Sequence, residues 1–188
     1  MTGLRIRCAL TGDAEDIAHI QWQSWKGAYM GLLPHEVLIG FGQAQGVGFW
    51  QRVLLGQREG GEVLVAELDD DIVGFISVGP LRSQLPGYQS EFHALYVLPE
   101  AQGCGIGTAL LTHAGRTLMQ QRWINAAVWV LEGNTLGRRF YEGLGGAELG
   151  KAKPLSYGGK LYHDVREIAY GWPDLRRAAW LVDQPDHH

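Results

Sequence analysis

The 188-residue sequence predicts an α/β protein, a mixed central sheet of about six to seven strands flanked by helices on both faces. Three observations predict it. Short apolar runs with two-residue alternation interleave with stretches of helical periodicity. The apolar run Glu91–Leu98 leads directly into a glycine-rich turn and the start of a helix. The run Ile124–Leu131 is apolar on both alternating faces, as befits a strand buried in mid-sheet.

The elements follow in order. Leu4–Leu10 alternates apolar and polar residues and reads as a first strand. Thr11–Asp13 is a turn that supplies an N-cap for a helix from about Ala14, carrying Ile17, Ile20, Trp22, Trp25 and Tyr29. Pro34 suits the first turn of a second helix. Gly40, Gly42, Gly46 and Gly48 argue against a long helix there and for two short pieces around Phe41–Leu55, before a break at Gly60-Gly61. Glu62–Leu68 and Ile72–Val78 form a hairpin about the acidic turn Asp69-Asp70-Asp71. Pro80–Gly87 is a loop holding Arg82 and Ser83.

After the glycine turn, Ile106, Leu110, Leu111, Ala114 and Leu118 make one helical stripe that should pack on the sheet. Asn134 can cap a further helix in which Leu136, Phe140 and Leu144 recur at i, i+4, i+8 and are expected to face the core. Asn134, Arg138 and Tyr141 fall on a different face. Ala147–Ala152 and Leu161–Ala169 read as two last strands joined by Ser156-Tyr157-Gly158-Gly159. Residues 1–172 are expected to form one domain, and 173–188 a C-terminal extension with a short helix and a disordered tail.

The turn Gln102-Gly103-Cys104-Gly105-Ile106-Gly107 lies where a strand hands over to a helix. Small residues let the chain curl around an oxygen, the first helical N–H groups lack partners, and the helix dipole is positive there. It is not a Walker A loop, because Gly107 is followed by Thr108 and Ala109 rather than Lys and Ser or Thr. It is not the dinucleotide fingerprint either, since glycines do not fall at first, third and sixth places. Gln-x-x-Gly-x-Gly remains, at Gln102, Gly105 and Gly107.

Together with Asn134-Thr135-Leu136-Gly137-Arg138-Arg139-Phe140-Tyr141 some thirty residues on, and Ser24-Trp25-Lys26-Gly27-Ala28-Tyr29 before Leu33-Pro34, this pattern resembles the GNAT family of N-acetyltransferases over roughly residues 4–172. The resemblance implies transfer of an acetyl group from acetyl-CoA to a primary amine of a small molecule or peptide, by direct attack in a ternary complex. It implies a cofactor site built from Leu95, Tyr96 and Val97 on the strand and Gln102, Gly103, Cys104, Gly105, Ile106, Gly107 and Thr108 in the turn. Asn134 would meet the pantetheine arm, Arg138 a phosphate oxygen, and the Leu95 N–H the oxyanion.

An alkylammonium of pKa ~10 is a poor nucleophile at neutral pH, so a base is needed. Glu91 is the candidate, with His93 behind it, and Tyr141 matches the family's tyrosine that protonates the departing thiolate. Trp22, Trp25, Tyr29 and His93 are candidates for the acceptor side, although Ile17, Ile20 and Trp25 also suit plain core packing. Within the family the alternative is a non-catalytic acyl-CoA-binding module. Where many members carry an aromatic residue after Leu144-Gly145, this chain has Gly146.

Twenty acidic against sixteen basic residues give a net charge of −4, which offers no attraction to nucleic acid or anionic membrane. No run approaches the ~18 apolar residues of a bilayer span, and no signal segment opens the chain. A cytoplasmic location is the expectation. Cys8 and Cys104 do not make a disulfide framework, and Cys104 occupies a place in the turn where only backbone would meet phosphate. The seven histidines lack metal-ligand spacing, and the Asp69–Asp71 run lacks the downstream ligands of a calcium loop, so no metal is expected. A homodimer through the terminal strands or the region of Trp180 is left open.

Overall fold

The computed structural model describes residues 3–40, 42–56 and 61–182. Phe41, Gly60 and the tail from residue 183 lie outside them. Seven strands form one mixed sheet in the order β1-β2-β3-β4-β5-β7-β6: β1 (Leu4–Cys8), β2 (Glu62–Leu68), β3 (Asp71–Pro80), β4 (Ser90–Val97), β5 (Ala126–Leu131), β6 (Ala147–Tyr157) and β7 (Lys160–Trp172). Helices flank it: α1 (Ala14–Ala28), α2 (His35–Gly40), α3 (Gln43–Leu55), α4 (Ile106–Gln120), α5 (Thr135–Gly143) and α6 (Ala179–Val182). The chain forms two compact units, Met1–Gly79 with His93–Ala114, and Pro80–Phe92 with Gly115–His188.

In the first unit, β1, β2 and β3 are antiparallel neighbours, and the β2–β3 hairpin turns on Asp69 and Asp70, both at positive φ. Short Asp side chains tolerate that conformation, and the tight turn follows. Adjacent residues of β3 show why helices lie on both faces. Phe75 meets Trp50 of α3 at 4.9 Å between ring centroids, whereas a side chain at Gly74 would strike Leu110 of α4. Successive residues of a strand point to opposite faces, so α3 and α4 lie on opposite sides. The expected α4 stripe is buried at every position.

Two expectations need correction here. Gln43–Leu55 is one helix, not two short pieces. Gly46 explains it: a Cβ there would lie 3.2 Å from the Cβ of Ala18 in α1. The glycine cost to helix propensity is offset by the close approach of α1 and α3, which the buried Trp50 Nε1–Gln21 Oε1 hydrogen bond of 2.8 Å joins. The cap at Asp13 also differs. Its carboxylate makes no N-cap bond to the helix but accepts from the Leu10 N–H at 2.7 Å and from Arg7 at 2.7 Å.

In the second unit, β4 pairs with β5 in parallel over Ser90↔Ala126, Glu91↔Ala127 and Phe92↔Val128, and β7 pairs antiparallel with both β5 and β6. The last two strands are longer than expected. β6 carries Pro154 without breaking, because it is the end strand of the sheet, where a missing N–H is tolerated. One face of β5 and β7 holds Ala127, Trp129 and Ala169 under Leu81, Leu85 and Tyr88 of the loop before β4. The other carries Phe92, Tyr170 and Trp172, with α5 upon it.

The expected face of α5 is corrected by its packing. Leu136 is 76% exposed, while Tyr141 is buried against Phe140 and Trp172. The helix is only nine residues long, and the register of its aromatic end on Trp172 decides which side faces in. The stretch after Pro173 belongs to this unit's packing: Leu175, Trp180 and Leu181 are buried, and Trp180 meets Trp172 at 5.9 Å.

Candidate active site

The first unit holds the glycine turn. β4 ends at Val97, Pro99–Ala101 makes a single 3₁₀ turn, and α4 begins at Ile106. Gly103 and Gly105 adopt φ of +76° and +81°, which L side chains rarely take, and a Cβ at either would meet open space. Their glycine identity is set by backbone conformation and not by crowding. The helix opens with the Ala109 N–H bonded to the Gly105 carbonyl at 3.0 Å. The N–H groups of Ile106, Gly107 and Thr108 therefore precede the helical ladder, at the positive end of a fifteen-residue helix. Backbone N–H groups so placed are able to receive an anion.

Gln102 braces the turn. Its side-chain amide donates to the Val97 carbonyl at 2.9 Å, and Ser24 Oγ donates to the same oxygen at 3.3 Å. Gln102 thus ties the turn to the strand that feeds it. The Val97 carbonyl is thus doubly engaged. The Tyr96 ring packs on Phe75 at 5.6 Å against the core. Cys104 is exposed, its thiol 3.7 Å from the Gln102 carbonyl. The other cysteine, Cys8, donates to Glu62, and that bond, with burial, pushes its thiol up to about 11, too high for a thiolate nucleophile.

On the acceptor candidates of this unit, Trp25 and Tyr29 are buried and meet edge to face at 5.3 Å, and Trp22 is half-buried with Lys26 Nζ 5.4 Å from its ring. Trp25 is thus packed in the core. His93 and Leu95 on β4 are half-buried.

The second unit holds Glu91 and Tyr141, two of the candidate acid–base groups. Glu91 is 7% exposed at the start of β4. Its Oε2 accepts from the Arg82 N–H at 3.0 Å. Burial raises its pKa above the ordinary carboxylate value, opposed by that N–H and by the charges of Lys153 and Arg82. Tyr141 is 7% exposed on α5. Glu91 pairs with Ala127 and Phe92 with Val128, so Glu91 shares the Ala127–Trp129 face, while Tyr141 stacks on Trp172 on the other. Base and acid candidates therefore occupy opposite faces of one sheet.

Asn134 caps α5: its Oδ1 accepts from the Gly137 N–H at 3.0 Å, leaving the side-chain NH₂ to point elsewhere. Arg138 is held within this unit by the Tyr170 hydroxyl at 3.1 Å, the Glu132 carbonyl at 3.3 Å and Glu148 at 3.6 Å. A phosphate would have to compete with these for the guanidinium. Sequence reasoning missed Lys153, Trp129 and Glu167, which join Glu91 on its face. Their only signal is strand alternation, and that shows nothing until the β5–β7–β6 register is known.

A family model, the acetyltransferase (GNAT) domain, matches residues 59–145. The N-acetyltransferase YuaI of Bacillus subtilis (strain 168) is 30% identical over 184 residues, covering 95% of this chain and 98% of that protein. This chain belongs to the GNAT acetyltransferase family. An N-acetyltransferase of Archaeoglobus fulgidus is 30% identical to this GNAT chain over 140 residues, 73% of it and 89% of the relative. Among solved structures, the PaiA N-acetyltransferase of Thermoplasma acidophilum in complex with coenzyme A matches with a TM-score of 0.67 at 18% identity, over 91% of this chain and all of that one. The yncA protein of Salmonella typhimurium with its cofactor acetyl-CoA matches with a TM-score of 0.67 at 21% identity, over 98% and 99%. These likenesses show that the GNAT fold is shared. The protein is an acetyltransferase, and no helix among its described residues is long and apolar enough to cross a membrane.

Proposed function

We propose that this acetyltransferase moves the acetyl group of acetyl-CoA to a primary amine of a small molecule or peptide, by direct attack in a ternary complex. The observation that carries the reading is the turn at the start of α4. There Gly103 and Gly105 at positive φ leave the Ile106, Gly107 and Thr108 N–H groups outside the helical ladder. Those amides take the diphosphate of coenzyme A. The Leu95 and Val97 backbone and the Asn134 amide meet the pantetheine arm, and the Leu95 N–H holds the oxyanion.

Glu91 takes the proton of the acceptor ammonium, directly or through one water. Its buried carboxyl, with pKa raised above the ordinary value, is a stronger base than an exposed carboxylate. Tyr141 gives its proton to the departing thiolate. Trp22 and His93 remain the candidates for contacting the acceptor, because Trp25 and Tyr29 are buried in packing. Arg138 is assigned to holding α5 on β7.

Two measurements test this. Isothermal calorimetry with coenzyme A should give binding that Gly105→Val weakens at least tenfold, through strain at φ +81°. Turnover with acetyl-CoA and a panel of amines, following free thiol, should show acceptor-dependent release. Coenzyme A binding with no thiol release for any acceptor would favour a non-catalytic binding module, and no binding at all would end the proposal.

A further inference from the structure

The register of the second unit assembles a charged group that no single strand displays. Glu91 lies opposite Ala127, and Trp129 is two residues further on β5. Trp129 lies opposite Ala169 of β7, and Leu131 lies opposite Glu167. Glu167 lies opposite Lys153 of β6. Side chains two apart along a strand, and those directly paired across strands, share a face, so Glu91, Trp129, Glu167 and Lys153 stand on one side of the sheet.

The Lys153 ammonium is 3.7 Å from Glu167 Oε2 and 4.3 Å from the centroid of the Trp129 ring. The indole is itself fixed, its N–H donating to Ser83 Oγ at 2.6 Å. A lysine on the end strand of a sheet usually trails into water. Here a carboxylate and an aromatic face clamp it, directed inward along the sheet rather than outward.

We propose that Lys153, clamped by Trp129 and Glu167, is a positioning residue that keeps Glu91 in its carboxylate form, able to receive the acceptor's proton. The inference rests on the role of Glu91 proposed above. In the proton step an N–H bond of the acceptor ammonium breaks and an O–H bond forms on Glu91. The nitrogen lone pair so freed then attacks the thioester carbonyl carbon. A Glu91 already protonated cannot take part.

The charged groups facing Glu91 can be named element by element. The loop before β4 brings the Arg82 side chain and N–H, β6 brings Lys153, and β7 brings Glu167. β5 brings only Ala127 and Trp129, and His93 follows on β4 itself. Glu167, like Glu91, is raised by burial; Lys153 opposes this and the charge of Glu91 adds to it. Two desolvated carboxylates thus face one clamped ammonium, whose charge favours the ionised form of each.

The test is a titration of Glu91 itself. Protein labelled with ¹³C at glutamate side chains is followed by carboxyl chemical shift against pH, with Glu91→Gln assigning the signal. In Lys153→Met, which keeps the aliphatic stem on Trp129, the Glu91 midpoint is expected to move upward. Lys153→Arg should restore it. Glu167→Gln, which spares the ammonium and removes a negative neighbour, should move it downward. In parallel, kcat/KM on the acid limb should fall about tenfold in Lys153→Met at fixed pH, the change expected when an opposite charge acting on the base is lost. A Glu91 midpoint unmoved in Lys153→Met overturns the inference, whatever Glu167→Gln does. Wild-type protein with no thiol release would instead overturn the assigned role of Glu91, while the titration would still decide whether Lys153 governs that carboxyl.

Discussion

The main-chain N–H of Arg82 donates to Oε2 of Glu91 at 3.0 Å, so the loop before β4 holds the carboxylate through backbone rather than through its arginine side chain. Glu91→Gln should therefore keep the fold, because an amide oxygen can accept the same bond. We expect its kcat/KM to fall about 100-fold or more, the usual contribution of a general base. Steady-state thiol release checks it, with urea unfolding to confirm that stability is retained. Unchanged kcat/KM across the pH range would pass the proton to His93 or to solvent.

Tyr141→Phe keeps the ring that stacks on Phe140 and Trp172 and removes only the hydroxyl. The expected outcome is kcat lower by about 10-fold or more, with coenzyme A affinity within a few-fold of wild type. Thiolates are moderately stable leaving groups, so the loss should shrink as pH rises toward the thiol pKa of ~8.5. A single-turnover experiment showing the same chemical rate in both proteins would take Tyr141 out of the mechanism.

Gly46→Leu should destabilise the first unit without touching the glycine turn. A Cβ at this position lies 3.2 Å from that of Ala18, and the rest of a leucine has nowhere to go between α1 and α3. Overpacking of this kind costs about 1–3 kcal/mol. The urea midpoint should drop accordingly, and an unchanged midpoint would mean that the two helices can separate freely.

Asp13 gives a pH test. Burial alone would raise its pKa, but hydrogen bonds from Arg7 and the Leu10 N–H, with the charge of Arg7, hold it below the ordinary value. A depressed carboxyl contributes stability that is present above its unfolded pKa and lost as pH falls through the folded one. Asp13→Asn should cost about 1–3 kcal/mol at neutral pH and flatten the acid limb of the stability profile. Glu91 has the opposite sign. Its raised pKa means that the folded state binds the proton more tightly, so its contribution fades as pH rises from the unfolded pKa through the folded value. Chemical unfolding from pH 3 to 8 in wild type and Asp13→Asn separates the two.

The parts of this molecule that were readable from the chain alone are those whose physics is local. The turn at Gly103–Gly107 announces itself through small residues between an apolar strand and an apolar stripe, and the α4 stripe is buried as written. Helix α3 was misjudged because the benefit of Gly46 lies on Ala18, twenty-eight positions away, while its cost is visible in place. The face of α5 was misjudged because a two-turn helix has too few residues for periodicity to outvote one anchor, here Tyr141 on Trp172. The role of Gln102 as a brace on Val97 depends on a hydrogen bond across the turn. Lys153 and Glu167 could not be connected with Glu91 at all, since three separate strand registers intervene.

The placement of Glu91 and Tyr141 on opposite sides of the β4–β5–β7 sheet has a consequence for how such a catalyst can diversify. On the roles proposed for Glu91 and Tyr141, changes that recruit a new nucleophile would fall on the side of Glu91, Trp129 and Glu167, and would leave undisturbed the edge-to-face ring contacts that seat Tyr141. Acceptor preference would then drift by single substitutions while the thiol-handling half is inherited intact, so two lineages of such a chain would part company in what they modify long before they differ in what they consume.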